Sequence, residues 1–314
     1  MLWDSMRKIL LVGAVATLCV VLAPMGAQAQ VYDSTNTKTV IQPDTIPKYQ
    51  TDMVIPPAMP RTGKIKEKGN KNIDYYEVAQ RQFQQQILPP GYPATTVWSY
   101  GSVQFPGTVA EGGSFNYPAF TNESKWQKPA GVKWINELVK DPIDCFHTPG
   151  GPVNADSCNY LSHLLPVDQT LHWANPEIAN PCKNTGDEGT DCRTNDPTPY
   201  TGPVPMIVHV HGAETTEWSD GYPEAWYLPG ADNLAGYTTG GSFFNTFSSS
   251  AAAFFANDID RKAPDAGWGD GAAVFQYAND QEATTLWYHD HTLGMTRLNV
   301  YAGPAGFYLL RGGP

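Results

Sequence analysis

The sequence predicts an all-β protein, built of short strands in a sandwich or barrel with long irregular insertions. Glycine and proline contribute 29 and 27 of the 314 residues, a punctuation that suits many turns and works against long helices. Between the turns, runs such as Tyr76-Glu77-Val78-Ala79-Gln80 and Gly131-Val132-Lys133-Trp134-Ile135-Asn136 alternate apolar and polar residues, the two-residue period of a half-buried strand. With 41% hydrophobic and 16% charged residues the chain can bury a substantial core. Asp and Glu number 31 against 20 Lys and Arg, a formal charge of -11. That balance leaves no basic footprint for a nucleic-acid partner.

In chain order, the first segment is a targeting signal that takes no part in the fold. Arg7 and Lys8 form a short basic region, Ile9 to Leu22 is apolar, and Ala27-Gln28-Ala29 is a small-residue cleavage site. The apolar stretch falls short of the roughly 20 residues that span a bilayer. Residues 1-29 are therefore read as a signal peptide, with a mature start at Gln30, export to the periplasm or the extracellular space, and no membrane attachment after cleavage. Residues 30-72 read as an extended arm, since Pro43, Pro47, Pro56, Pro57 and Pro60 break any regular element. Its basic residues Arg61, Lys64, Lys66, Lys68 and Lys71 are interleaved with Gly63, Glu67 and Gly69 and read as a solvated face. Residues 73-314 form the β domain.

Two long irregular stretches interrupt the strands, Asp141 to Thr201 and Leu228 to Asp270, and stretches of this length are functional loops or tolerated insertions. The first holds Cys145, Cys158, Cys182 and Cys192, the four cysteines that remain once Cys19 leaves with the signal peptide. An even count in an exported chain reads as two disulfides with three possible connectivities. Proximity favours Cys145 with Cys158 and Cys182 with Cys192, each closing a short loop worth about 3 kcal/mol. In the second stretch, Ser248 to Phe255 can form a short helix.

The chemistry is carried by two histidine pairs. Val204-Pro205-Met206-Ile207-Val208-His209-Val210-His211-Gly212 is an apolar, β-branched run ending in His-x-His-Gly, and Leu286-Trp287-Tyr288-His289-Asp290-His291 ends in a second His-x-His. Residues i and i+2 of a strand share a face roughly 6.6 Å apart, near enough to serve one metal or two adjacent ones. Four imidazoles on neighbouring strands make a nitrogen-rich donor set suited to copper, zinc or iron. A single His-x-His is weak evidence, but four of the chain's seven histidines fall into two identically spaced pairs. His147, His163 and His172 lie in or beside loops and read as structural or solvent-facing. Ser219-Asp220-Gly221-Tyr222-Pro223-Glu224-Ala225-Trp226 follows the first pair and sets an acid, Asp220, near it; its simpler role is that of a turn residue before Gly221.

These motifs, together with Ile46-Pro47-Lys48-Tyr49, Trp98-Ser99-Tyr100-Gly101 and Ala302-Gly303-Pro304-Ala305-Gly306, make the chain similar to the amino-terminal part of a bacterial multicopper oxidase of the spore-coat laccase, bilirubin oxidase and phenoxazinone synthase group. The resemblance implies a cupredoxin-type Greek-key β-sandwich, with residues 73-314 the first of three such domains. It implies that His209 ligates a type 2 copper and His211 a type 3 copper, that His289 and His291 ligate the two type 3 coppers, and that Asp220 lies beside the cluster and relays protons. The implied reaction is one-electron oxidation of a phenolic, pigment or metal-ion reductant, coupled to four-electron reduction of dioxygen to water. The same family draws its type 1 copper and the remaining cluster ligands from a carboxyl-terminal domain with His-Pro-x-His-x-His and His-Cys-His motifs. Neither motif occurs between Met1 and Pro314, so the copper sites are partial and the chain is expected to be part of a longer enzyme or to act with a second chain, inactive by itself.

Other metal enzymes fit less well. Metallo-β-lactamases require His-x-His-x-Asp-His, whereas Ala213 and Glu214 follow Gly212 here. A cupin places an acid four or five residues beyond the second histidine, where this chain has Thr215 and Thr216. An amidohydrolase barrel needs βα alternation that is absent. The remaining rival is a secreted copper-binding β-sandwich without turnover, which copper stoichiometry with an oxidase assay separates from an enzyme.

Overall fold

A computed structural model of the chain describes residues 44, 46–50, 55–67, 71–178, 191–255, 268–269 and 271–313. The expected signal peptide and cleavage site lie outside the described residues, as does much of the expected arm. The chain divides into two units, Met1–Tyr49 and Gln50–Pro314, and both sheets and all the histidines belong to the second.

Two β-sheets form the sandwich. The first is organised by β2 (Lys71–Gln85), a strand of 15 residues. One edge of β2 pairs antiparallel with β1 (Gly63–Glu67) along its first part and with β3 (Thr95–Ser102) along its second. Its other edge pairs in parallel with β5 (Ala130–Asn136), which in turn pairs antiparallel with β7 (Ala272–Tyr277). The second sheet has the order β4 (Ala119–Lys125), β9 (Ala305–Arg311), β8 (Thr284–Asp290), β6 (Val208–His211), with only β4 and β9 parallel. The fold class is the expected all-β one. One boundary differs from expectation: β1 falls inside the stretch read as an extended arm without regular elements. No proline follows Pro60 until Pro89, so the amides from Gly63 to Glu67 are free to complete a ladder with β2.

Aromatic side chains fill the space between the sheets. Tyr100 from β3, Trp134 from β5 and Tyr288 from β8 are fully buried, with ring centroids 5.3 to 5.7 Å apart. Their polar tips would be costly to bury unpaired. Trp134 Nε1 donates to the Tyr277 hydroxyl at 3.2 Å and the Tyr288 hydroxyl donates to the Phe120 carbonyl, while the buried Tyr100 hydroxyl has no hydrogen-bond partner among the described residues. This core lies directly beneath β6 and β8, so the strands that carry the histidine pairs rest on a rigid base.

The described parts of both insertions contain local structure. In the first, helix α1 (Pro142–His147) is capped by Asp141, which accepts from the amides of Ile143 and Asp144. A disulfide joins Cys145 to Cys158. Cys192 is also disulfide-bonded, while Cys182, its expected partner, lies outside the described residues. Arg81 of β2 anchors the insertion: its buried guanidinium pairs with Glu137, donates to His147 and the Pro106 carbonyl, and lies 4.4 Å over the Phe115 ring. The second insertion contains helix α2 (Phe244–Phe255), which starts four residues before the expected Ser248. A third helix, α3 (Thr296–Ala302), follows the second histidine pair. The pattern gave no sign of it, because seven residues are too few to show a helical period.

Candidate metal centre

β6 and β8 pair with His209 directly opposite His289, Val208 opposite Asp290 and His211 opposite Trp287. Directly opposed residues point to the same side of a sheet. His209, His211, Trp287 and His289 therefore share the outer face, while Val208, Val210, Tyr288 and Asp290 point into the core. His291 lies one residue beyond β8 and keeps the ladder going by donating its amide to the Ile207 carbonyl at 2.8 Å. The four imidazoles form one cluster: the ring of His209 is 4.7 Å from His291, 5.6 Å from His211 and 5.7 Å from His289.

The carbonyls around the cluster determine which ring nitrogen carries the proton. A carbonyl oxygen only accepts, so a nitrogen bonded to one must be an N–H. Nδ1 of His209 donates to the Asp220 carbonyl, that of His291 to the Gly221 carbonyl at 2.9 Å, and that of His289 to the Asp290 carbonyl at 2.7 Å. In the neutral rings this leaves Nε2 with its lone pair in all three. His211 differs. Its Nδ1 lies 3.3 Å from Nε2 of His289, so two imidazole nitrogens of different residues face each other. Among the described residues no group of three His, Cys, Asp or Glu side chains is close enough together to hold one ion.

Electrostatics separate the members. Burial, reinforced by the neighbouring imidazoles, pushes His289 down to about 4. Burial also lowers His291. For His209, burial lowers the pKa but the hydrogen bonds and charge of Asp220 outweigh it, so the ring is held above its usual value. The Asp220 carboxylate is half exposed and its Oδ1 lies 3.3 Å from Nδ1 of His209, which puts the acid beside the first histidine pair. Uncharged imidazole is the form that ligates a metal.

Three residues of the site escaped the sequence reading. Trp287 stacks on His211 at 5.4 Å and sits 4.1 Å from the His289 ring, covering both on the outer face; its signal was its position two residues before His289. Gly221, at φ +78, packs so closely on β6 that a Cβ would lie 2.2 Å from the Val208 carbonyl oxygen. Asp290, between the two histidines of its motif, is a fully buried carboxylate pushed up to about 7 by burial.

The other three histidines are placed apart from the cluster. His147 receives Arg81, and Nε2 of His172 donates to the Asp191 carbonyl. His163 packs on Trp98 and joins Asn299 through Nε2 at 3.0 Å. Burial depresses His163 from 6.5 to about 4. Between those values the unfolded chain binds a proton that the folded chain refuses, so the stability tied to this group is present above pH 6.5 and lost as pH falls toward 4. His163→Gln, which can still donate to Asn299, should lose less thermal stability than the wild type across that interval. Equal acid sensitivity in the two proteins would exclude His163 as a contributor.

No family model matches the chain. Among curated proteins it is 28% identical over 246 residues to a laccase of Bacillus stratosphericus, with 77% of this chain and 30% of the relative covered. It is 27% identical over 269 residues to a laccase of Bacillus subtilis, covering 85% of this chain and 34% of the relative. A multicopper oxidase of Arabidopsis thaliana is 26% identical over 219 residues, 70% of this chain and 23% of the relative. The chain thus spans about a third or less of the length of these relatives. A crystal structure of a multicopper oxidase from Pediococcus acidilactici aligns at 14% identity with a TM-score of 0.43, over 85% of this chain and 31% of that one.

Proposed function

Because this chain is related over most of its length to laccases and multicopper oxidases, we propose that its histidine face is the copper-binding part of a laccase-like oxidase of dioxygen. The observation that carries this reading is the four-imidazole cluster in which backbone carbonyls take Nδ1 of three rings and leave Nε2 of each without a proton. The fit to copper rests on donor chemistry: an all-imidazole set with open positions favours Cu(II) over the other divalent first-row metals. His209 would serve a type 2 copper, and His211, His289 and His291 the type 3 pair. Bound copper would supply the stepwise electron transfer that takes dioxygen to water while a phenol, pigment or low-valent metal ion is oxidised.

The chain's own residues do the rest. The Asp220 and Gly221 carbonyls orient His209 and His291, Trp287 shields His211 and His289 from water on one side, and the half-exposed Asp220 carboxylate beside His209 can pass protons from solvent to the edge of the cluster. The partners are dioxygen, a small reductant and the further cupredoxin domains that supply the remaining ligands. The site of action is outside the cytoplasm, as the amino-terminal signal implies. No helix among the described residues is long and apolar enough to cross a membrane.

The test is metal titration of the purified chain. Copper should bind in preference to zinc, and His209→Ala, His289→Ala and His291→Ala should each reduce uptake. With four ligands for three coppers and no Cys-His type 1 set in these 314 residues, the chain alone should show no oxidase activity on a phenol. Stoichiometric zinc with no copper uptake would sink the reading. In an enzyme with the other ligands supplied, Asp220→Asn should slow dioxygen turnover at least about tenfold with copper content nearly unchanged. In the metal-free chain the same substitution should lower the pKa of His209, read by NMR titration, since the carboxylate no longer supports the imidazolium. If neither quantity changes, Asp220 is a turn residue only.

A further inference from the structure

We propose that Asp290 is a positioning residue for the histidine face: its buried carboxylate ties the end of β8 to β6 and α3 and so decides which nitrogen of His289 is turned outward. Its side chain points away from the imidazoles into the core and is fully buried. Oδ1 accepts from the Thr292 amide at 3.0 Å and from Asn299 Nδ2 at 2.9 Å, while Oδ2 accepts from the Thr292 hydroxyl at 2.9 Å and the Ile207 amide at 3.3 Å. These four donors come from the residue before β6, from the turn after His291 and from α3. All are neutral and all only donate in these bonds, so the cavity is built for an acceptor without hydrogens. A carboxylate meets that demand; a side-chain amide would turn an N–H toward groups that are themselves donors.

The anchoring reaches the imidazoles through the backbone. The carbonyl of Asp290 itself takes Nδ1–H of His289, and the next residue, His291, donates its amide to the Ile207 carbonyl. With the side chain held by four bonds, the 290–291 peptide cannot rotate without breaking them. Its carbonyl stays under His289, and the proton of that ring stays on Nδ1. Asn299 is braced in turn, donating also to the Pro205 carbonyl at 3.2 Å and accepting from His163. The network therefore locks the lone pair of His289 from the inner side of the sheet before any metal arrives.

This deepens the copper reading and rests on it only for the identity of the metal. The experiment uses the chain labelled with 15N-histidine. In the metal-free wild type, NMR should show His289 as a single tautomer protonated at Nδ1. Asp290→Asn should blur that tautomer and weaken Cu(II) binding about 10- to 100-fold by calorimetry. Thr292→Val removes one donor while leaving the carboxylate, and should move both readouts in the same direction by a smaller amount even if Asp290→Asn does not fold. Folded variants with wild-type tautomers and wild-type copper affinity overturn the proposal. Loss of thermal stability with tautomers unchanged overturns it too, since Asp290 would then serve the fold alone. If the wild type takes up no copper, the copper reading fails while the tautomer comparison still decides this one.

Discussion

Gly221→Ala is expected to destabilise the protein by on the order of 3 kcal/mol and to abolish ordered metal binding. Two costs add at this position. Gly221 has φ +78, a conformation that L side chains rarely adopt, and a Cβ would lie 2.2 Å from the Val208 carbonyl oxygen and 2.9 Å from the His209 Cα. Both contacts are backbone and cannot swing aside. The turn must lift off β6, and it carries the Asp220 and Gly221 carbonyls that hold Nδ1 of His209 and His291. Gly112 supplies the control, having φ +82 and open space, with nothing within 4 Å of where a Cβ would sit. Gly112→Ala carries only the conformational cost, about 1 kcal/mol. Thermal melts of the two variants separate the terms: Gly221→Ala should melt on the order of 10 °C below the wild type and Gly112→Ala only a few degrees below. Equal losses would show that the close approach to β6 is unimportant.

Arg81→Leu should cost about 3–5 kcal/mol, because it leaves the Glu137 carboxylate buried without its cation. The side chains of Arg81 and Glu137 are only 3% and 4% exposed, so water cannot replace the lost partner. The same guanidinium donates to His147 at the end of α1, so the first insertion should loosen on the sandwich as well. Adding Glu137→Leu removes the stranded charge and should restore much of the loss, a coupling that a double-mutant cycle in urea measures directly. A single-variant cost under about 1 kcal/mol would mean that the pair is solvated in solution.

How far the sequence could be read depended on the range of the forces involved. The strand class, the pairing of Cys145 with Cys158, the helix near Ser248 and the separation of His147, His163 and His172 from the cluster all follow from local chemistry. So does the sharing of one face by His209 and His211, since alternation along a strand is a property of neighbouring residues. Even the arm's hidden strand was legible in principle, because Gly63 to Glu67 lacks proline; it was obscured by the prolines just before it.

Other features depended on residues far apart in the chain. That His209 stands opposite His289 is a matter of register between strands separated by a long insertion, and no local pattern states it. The protonation of Nδ1 in three rings came from carbonyls of Asp220, Gly221 and Asp290, whose directions are set by the turn against β6 and by the anchor of Asp290 among Ile207, Thr292 and Asn299. Sequence alone therefore determined which residue types could bind metal and on which elements they lie. Only the folded chain decided which of their nitrogens are free to do so, because a hydrogen bond is satisfied by geometry in three dimensions and spacing along a chain does not encode it.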